Sequence, residues 1–80
     1  MEKIRFKPVS EEETRVSISK KIAYYRKASG LTQVQLSKLS GISVASIQRI
    51  EQGHDSVLPG LPTLIRLMNA FERDIGDLFY

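Results

Sequence analysis

The residues with the clearest capacity for chemistry lie in one short segment, residues 43–52, where apolar residues recur at helical spacing. If Ile47 and Ile50 point into a core, the opposite face of the helix carries Val44, Ala45, Gln48, Arg49 and Gln52. An amide can bond adenine, a guanidinium can bond guanine, and small apolar groups can contact the thymine methyl. We therefore expect the first four of these side chains to contact base edges of double-stranded DNA. The alternative is an ordinary solvated helix face.

Two short helices joined by a tight turn would hold this face outward. Thr32 predicts the cap of a helix from Gln33 to about Leu39, and Ser43 predicts the cap of a helix that runs to about Gln52. Gly41 supplies the positive φ that a sharp connection needs. The apolar residues expected to lock the pair are Leu36, Ile42, Ile47 and Ile50. The sequence therefore predicts a helix-turn-helix over about residues 33–52.

Helices are also predicted before and after this pair. Ser10 and Glu13 have capping-box spacing, so a first helix can begin there, although Ser17 is a second possible cap; Gly30 would end it. Pro62 suits the first turn of a fourth helix, and Asp74 would cap a short fifth helix. These elements predict an all-α fold, a five-helix bundle.

The first sixteen residues are interpreted as an N-terminal extension or arm within which helix one can begin, and residues 17–80 as the helix-turn-helix DNA-binding domain. Between residues 3 and 9, Ile4 and Phe6 alternate with Lys3, Arg5 and Lys7, which is a strand-like period of two. Three interpretations stay open: a partly ordered tail, a strand paired across a dimer, or a basic arm lying on DNA phosphates.

Composition excludes several classes of function. The 80 residues suit one compact domain, and the absence of cysteine excludes disulfides and thiolate metal sites. No apolar run approaches the roughly 18 residues of a membrane span, and no signal peptide is recognisable, so a soluble cytoplasmic protein is expected. With no nucleophile–base pair, metal cluster or phosphate-binding glycine loop, we predict no enzyme activity, no cofactor and no metal.

The net charge of +3 is unevenly distributed, with eight basic and four acidic residues in residues 1–29 and four basic and five acidic residues after them. Phosphate contacts are therefore expected from Lys20, Lys21 and Lys27, with Lys38 as a further candidate. His54, the single histidine, is interpreted as a loop residue near phosphate because no second ligand could complete a metal site.

A longer set of residues carries a family resemblance. It consists of Arg26-Lys27, Gly30-Leu31-Thr32-Gln33, Leu36, Gly41-Ile42-Ser43, Ile50-Glu51-Gln52-Gly53, Gly60-Leu61-Pro62-Thr63-Leu64 and Asp77-Leu78-Phe79. In this order, over about residues 17–79, the chain resembles the phage repressor/Cro-type, or xenobiotic-response-element, helix-turn-helix proteins. The resemblance implies a lambda-repressor-like DNA-binding domain and says nothing about residues 1–16. Ser40 departs from it, since many members carry a larger apolar residue there.

The resemblance also implies roles for individual residues. Gln33 would touch a phosphate, and Ser43 occupies a position that contacts bases or backbone. Arg26 and Glu51 match a pair that ties helix one to helix three, which would make Glu51 structural.

The predicted function is sequence-specific binding of an operator by a homodimeric transcriptional regulator, in particular a repressor. Its dimer interface is assigned to Leu78, Phe79 and Tyr80, whereas Phe71 is assigned to the monomer core. The alternatives are an antitoxin that binds a partner toxin and represses its own operon, or a restriction-modification controller protein.

Overall fold

In the computed structural model, residues 10–53 and 59–79 are described, and they form an all-helical domain. The helices are α1 (Glu11–Ala28), α2 (Gln33–Ser40), α3 (Val44–Gln52) and α4 (Leu61–Ala70), followed by a 3₁₀ turn (Ile75–Leu78). The all-α prediction is confirmed, but the number of five helices is not, because the fifth predicted helix is a single 3₁₀ turn. The predicted strand or arm over residues 3–9 lies outside the described residues.

Short polar side chains begin the first three helices, as their sequences predict. Each cap hydroxyl accepts a hydrogen bond from the backbone N–H three residues later: Glu13 to Ser10 at 3.0 Å, Gln35 to Thr32 at 3.0 Å and Ser46 to Ser43 at 3.1 Å. Because Ser10 caps α1, Ser17 lies inside that helix and is not its cap. Helix one therefore begins within residues 1–16.

The C-terminal element is short because its local sequence does not favour a longer helix. Asp74 accepts a hydrogen bond from the N–H of Gly76 at 2.7 Å, which starts the turn, but glycine within so short an element disfavours an α-helix. Contacts with α1 hold the turn in place instead. The Lys21 ammonium donates to the Leu78 carbonyl at 3.2 Å, and the Tyr25 hydroxyl donates to the Asp77 carbonyl at 3.4 Å.

One hydrophobic core joins the four helices and the 3₁₀ turn. Its members are Ile18, Ile22, Leu36, Ile42, Ile47, Ile50, Leu64, Leu67, Met68, Phe71 and Leu78. The four apolar residues predicted to lock the helix pair are all among them, and Phe71 is buried as predicted. Since α2 and α3 share this core with α1 and α4, the helix pair is fixed on a scaffold.

Gly41 ends α2 with a left-handed backbone, φ 75° and ψ 10°, and its N–H donates to the Ser37 carbonyl at 2.9 Å. A Cβ built there meets no atom within 4 Å, so a substitution would suffer from backbone strain alone. We expect Gly41→Ala to lower the free energy of unfolding by about 1–2 kcal/mol in urea denaturation. Gly60→Ala is the control, since Gly60 has φ −62° and an alanine there adds no left-handed backbone strain. Because Gly60 is the N-cap of α4, where alanine is less favourable than glycine, its loss should be about 0.5–1 kcal/mol. Equal effects of the two substitutions would contradict the strain argument.

Candidate nucleic-acid interface

Helix α3 has one buried face and one exposed face. Ile47 is fully buried and Ile50 is 8% exposed, whereas Ala45, Gln48 and Arg49 are exposed and Val44 is half-buried. Gln52 is exposed as well, and the acidic residue of this helix, Glu51, has a side chain only 8% exposed. The structure therefore brings the four predicted base-contacting residues together on one helix, on a surface without an exposed carboxylate of α3.

The turn between α2 and α3 depends on Ser40, whose importance the sequence did not reveal. Ser40 is buried; its hydroxyl donates to the Leu36 carbonyl at 2.7 Å and accepts from the Ile42 N–H at 3.2 Å. Both hydrogen-bonding capacities of the hydroxyl are thus used, which removes the penalty for burying a polar group. A larger apolar side chain at this position could not accept the hydrogen bond from the Ile42 N–H.

An ion pair connects the first helix to the third. The Arg26 Nε donates to Glu51 Oε2 at 2.7 Å and an Arg26 Nη donates to Oε1 at 3.0 Å, a two-pronged geometry between side chains that are 13% and 8% exposed. A further Nη donates to the Leu31 carbonyl at 2.8 Å. The hydrogen bond to Glu51 raises the pKa of Arg26 above its ordinary value, although burial opposes this and the charge of Glu51 adds to it. Arg26 therefore stays charged around neutral pH.

Gln33 also belongs to this hydrogen-bond network, and the sequence analysis did not predict its contact with Glu51. Its Nε2 donates to Glu51 Oε1 at 3.2 Å. Because a carboxylate only accepts hydrogen bonds, this contact fixes which end of the Gln33 amide faces Glu51. Gln33 is also the first residue of α2, where the leading backbone N–H groups have no partner within the helix. The amide of Gln33 and the positive end of α2 therefore lie together.

Ser43, the other predicted backbone contact near α3, is exposed at the N-cap. Its hydroxyl accepts from the Ser46 N–H and donates to the Ser46 hydroxyl at 2.9 Å. The side chain is thus already engaged in capping, so a phosphate contact at Ser43 stays a prediction.

The predicted lysine contacts do not form one group. Lys20 and Lys27 are exposed and lie seven residues apart, about two turns, on one side of α1. Lys21 is half-buried and its ammonium donates to the Leu78 carbonyl, so a phosphate contact at Lys21 stays a prediction. Lys38 is exposed on α2, and His54 lies outside the described residues.

Leu78 and Phe79, two residues of the predicted dimer interface, differ in their exposure. Leu78 is 2% exposed within a single chain, so it completes the monomer core and offers little surface of its own to a second copy. The place of Leu78 in a dimer interface stays a prediction. Its burial within one chain was not predictable, because an apolar residue near a chain end can pack inward or outward, and spacing does not decide which. Phe79 is 51% exposed, and Tyr80 lies outside the described residues.

Within residues 10–53 and 59–79, no group of three or more acidic or histidine side chains is placed to hold a metal ion. No helix in the same part of the chain is long and apolar enough to cross a membrane.

The arrangement described above matches a known family. The sequence profile of the helix-turn-helix family HTH_3 matches residues 22–78, which is most of the chain. The chain belongs to the HTH_3 family. The resemblance to Cro-type helix-turn-helix proteins is therefore confirmed.

Individual relatives agree with this assignment. A Haemophilus influenzae protein (strain KW20 / Rd) named as an uncharacterized HTH-type transcriptional regulator is 37% identical over 60 residues, which are 75% of this chain and 59% of that protein. The crystal structure of an HTH_3 family transcriptional regulator from Vibrio cholerae superposes with a TM-score of 0.79 at 26% identity. That match covers 88% of this chain and 38% of the Vibrio chain. Both relatives are thus considerably longer than the part that this chain matches.

Proposed function

We propose that the chain is a sequence-specific, double-stranded DNA-binding protein that acts as a homodimeric transcriptional regulator and reads the major groove with α3. The observation that carries this proposal is the division of α3, which buries Ile47 while it exposes Ala45, Gln48 and Arg49. These exposed groups suit thymine, adenine and guanine edges respectively. Membership of a family whose relatives are named transcriptional regulators supports the same reading.

Phosphate contacts would position α3 in the groove. The N-terminal end of α2, with the Gln33 amide beside it, offers backbone N–H donors and a positive helix dipole to one phosphate. The exposed Lys20, Lys27 and Lys38 add positive charge, which strengthens binding without selecting a sequence. Since bound protein would occupy its operator, repression requires no further activity.

Two copies are proposed because one recognition helix contacts only a few base pairs. A symmetric pair would read two half-sites about 34 Å apart, one turn of the duplex. The exposed ring of Phe79 supports a contact between copies at the C-terminal end of the domain, because an aromatic residue gains by leaving water.

Selection of bound duplexes from a random pool tests the function, with the full chain at near-physiological salt. The expected result is a near-palindromic site whose half-sites lie about one helical turn apart. Sedimentation of the complex should then give two chains per duplex. Weak, salt-sensitive binding with no recovered motif would contradict the proposal and would favour a partner-dependent antitoxin instead.

A further inference from the structure

A groove of about 390 Å³ lies between α1 and the C-terminal 3₁₀ turn, on the other side of α1 from the Arg26 side chain. Buried Ile18 and Leu78 contribute to its lining from below, and Ser17 and Lys21 line it from α1. Phe79 also lines the groove, although its ring is half-exposed. A single chain therefore presents a half-covered apolar channel with an aromatic wall.

The rim of this groove is acidic at one end. Glu13 lines it, and Glu11 and Glu12 precede Glu13 in the exposed first turn of α1. Lys21 lines the other end of the groove, where its ammonium donates to the Leu78 carbonyl. A complementary ligand would therefore combine apolar side chains with positive charge at the Glu13 end.

Residues 3–7 have that combination of side chains, with Lys3, Arg5 and Lys7 alternating with Ile4 and Phe6. In an extended segment, Ile4 and Phe6 share one side and the three cations share the other. Such a segment could place its apolar side against Phe79 while its cations remain near the acidic rim. The apolar contact would contribute most, since exposed ion pairs contribute only about 0–1 kcal/mol.

We propose that residues 3–7 of one copy occupy this groove on a second copy. The groove extends along α1 from Glu13 towards Lys21, so it leads away from Ser10 in the direction of the helix C-terminus. Ser10 itself is extended, with φ −75° and ψ 157°, and Pro8 favours an extended conformation at Lys7. To reach its own groove, the segment would have to reverse direction between Lys7 and Ser10. A segment that does not reverse direction would lead away from its own domain.

The length of the segment is sufficient for such an exchange. Residues 3–9, fully extended, span at most about 25 Å, comparable with the width of a small domain. In a two-fold symmetric dimer the exchange would be reciprocal, so each copy would give one segment and receive one. The proposal rests on the homodimer of the proposed function and names a contact that would hold it together.

Paramagnetic broadening between copies tests the exchange on the full chain. Because the sequence contains no cysteine, Glu2→Cys provides a single attachment site for a nitroxide, next to the proposed contact. In the first sample, ¹⁵N-labelled chain without nitroxide is mixed with an equal amount of unlabelled nitroxide chain. We expect the amide signals of Ser17, Lys21 and Phe79 to be weaker than in the same sample after the nitroxide is reduced. The amide signals of Gln48 and Arg49 should be the same in both spectra.

In the second sample, ¹⁵N-labelled nitroxide chain is diluted into a large excess of unlabelled chain, and the same losses should largely disappear. Phe6→Ser in the nitroxide copy should abolish the losses in the first sample. Val34→Ser in the ¹⁵N copy is the control, because Val34 is an exposed apolar residue of α2 and should leave them unchanged. Losses confined to the second sample would show docking within one chain and overturn the proposal, as would the absence of losses in both samples.

These results are independent of DNA. If the chain selects an operator but the first sample shows no signal loss, segment exchange alone is wrong. If the losses occur but no motif is selected, the DNA-binding function is wrong and the exchange stands.

Discussion

Replacing Glu51 with alanine is expected to lower the free energy of unfolding by about 3–5 kcal/mol, the cost of leaving one member of a buried ion pair alone. The Glu51 carboxylate is 8% exposed and accepts hydrogen bonds from Arg26 and Gln33. After its removal, the Arg26 guanidinium would keep only the Leu31 carbonyl among these partners. The result would be a positive charge in a mostly buried position without its counter-charge.

Urea denaturation measures this effect, and Asp77→Asn provides the matched control. Asp77 pairs with Arg73 at 3.8 Å, but these side chains are 42% and 50% exposed, so the loss should be about 0–1 kcal/mol. The double substitution Arg26→Met with Glu51→Leu should recover part of the stability, because it removes both charges. An unchanged midpoint for Glu51→Ala would refute the structural role of the pair.

Replacing Arg49 with alanine is expected to weaken binding to the preferred duplex by about 1–3 kcal/mol and to relax the sequence preference at one base pair. Arg49 is exposed in the last turn of α3 and lies beside Gln48 on the proposed reading face. Its substitution should leave the unfolding midpoint nearly unchanged, in contrast to that of Glu51. The affinities for the preferred and for random duplexes, measured at several salt concentrations, show whether Arg49 contacts a base or a phosphate.

Lys38→Ala is the control for this experiment. Lys38 is exposed on α2, and its loss should weaken binding to both duplexes alike. It should also reduce the magnitude of the slope of log affinity against log salt concentration by about one. If Arg49→Ala behaves in the same way as Lys38→Ala, then Arg49 contacts a phosphate and not a base.

Local features of the sequence were enough to predict the helices. Ser10, Thr32 and Ser43 each bond a backbone N–H three residues away, so the signal and the structure occupy the same few residues. The length of the fifth element was overestimated. Asp74 does cap a turn there, but the turn ends after four residues. A cap marks where a helix can begin, but it does not determine how long the helix becomes.

Contacts between distant residues were not predictable in the same way. Lys21 and Leu78 are 57 positions apart, and nothing in the spacing of either residue indicates that the ammonium bonds that carbonyl. The pairing of Arg26 with Glu51 was expected only through the family resemblance, since an arginine and a glutamate 25 positions apart carry no local signal. The Gln33 amide was expected to face a phosphate, whereas one of its N–H groups is directed at Glu51.

The network around Arg26 has a consequence for the thermodynamics of recognition. It connects α1, the start of α2 and α3, so the two helices of the motif are already assembled before any duplex arrives. Association would then bury surface without a coupled folding step in these helices, and the heat-capacity change of binding should correspond to the area of the interface alone. The encounter rate would be governed by long-range charge attraction and would fall as salt increases, because no slow ordering of the reading helix precedes contact.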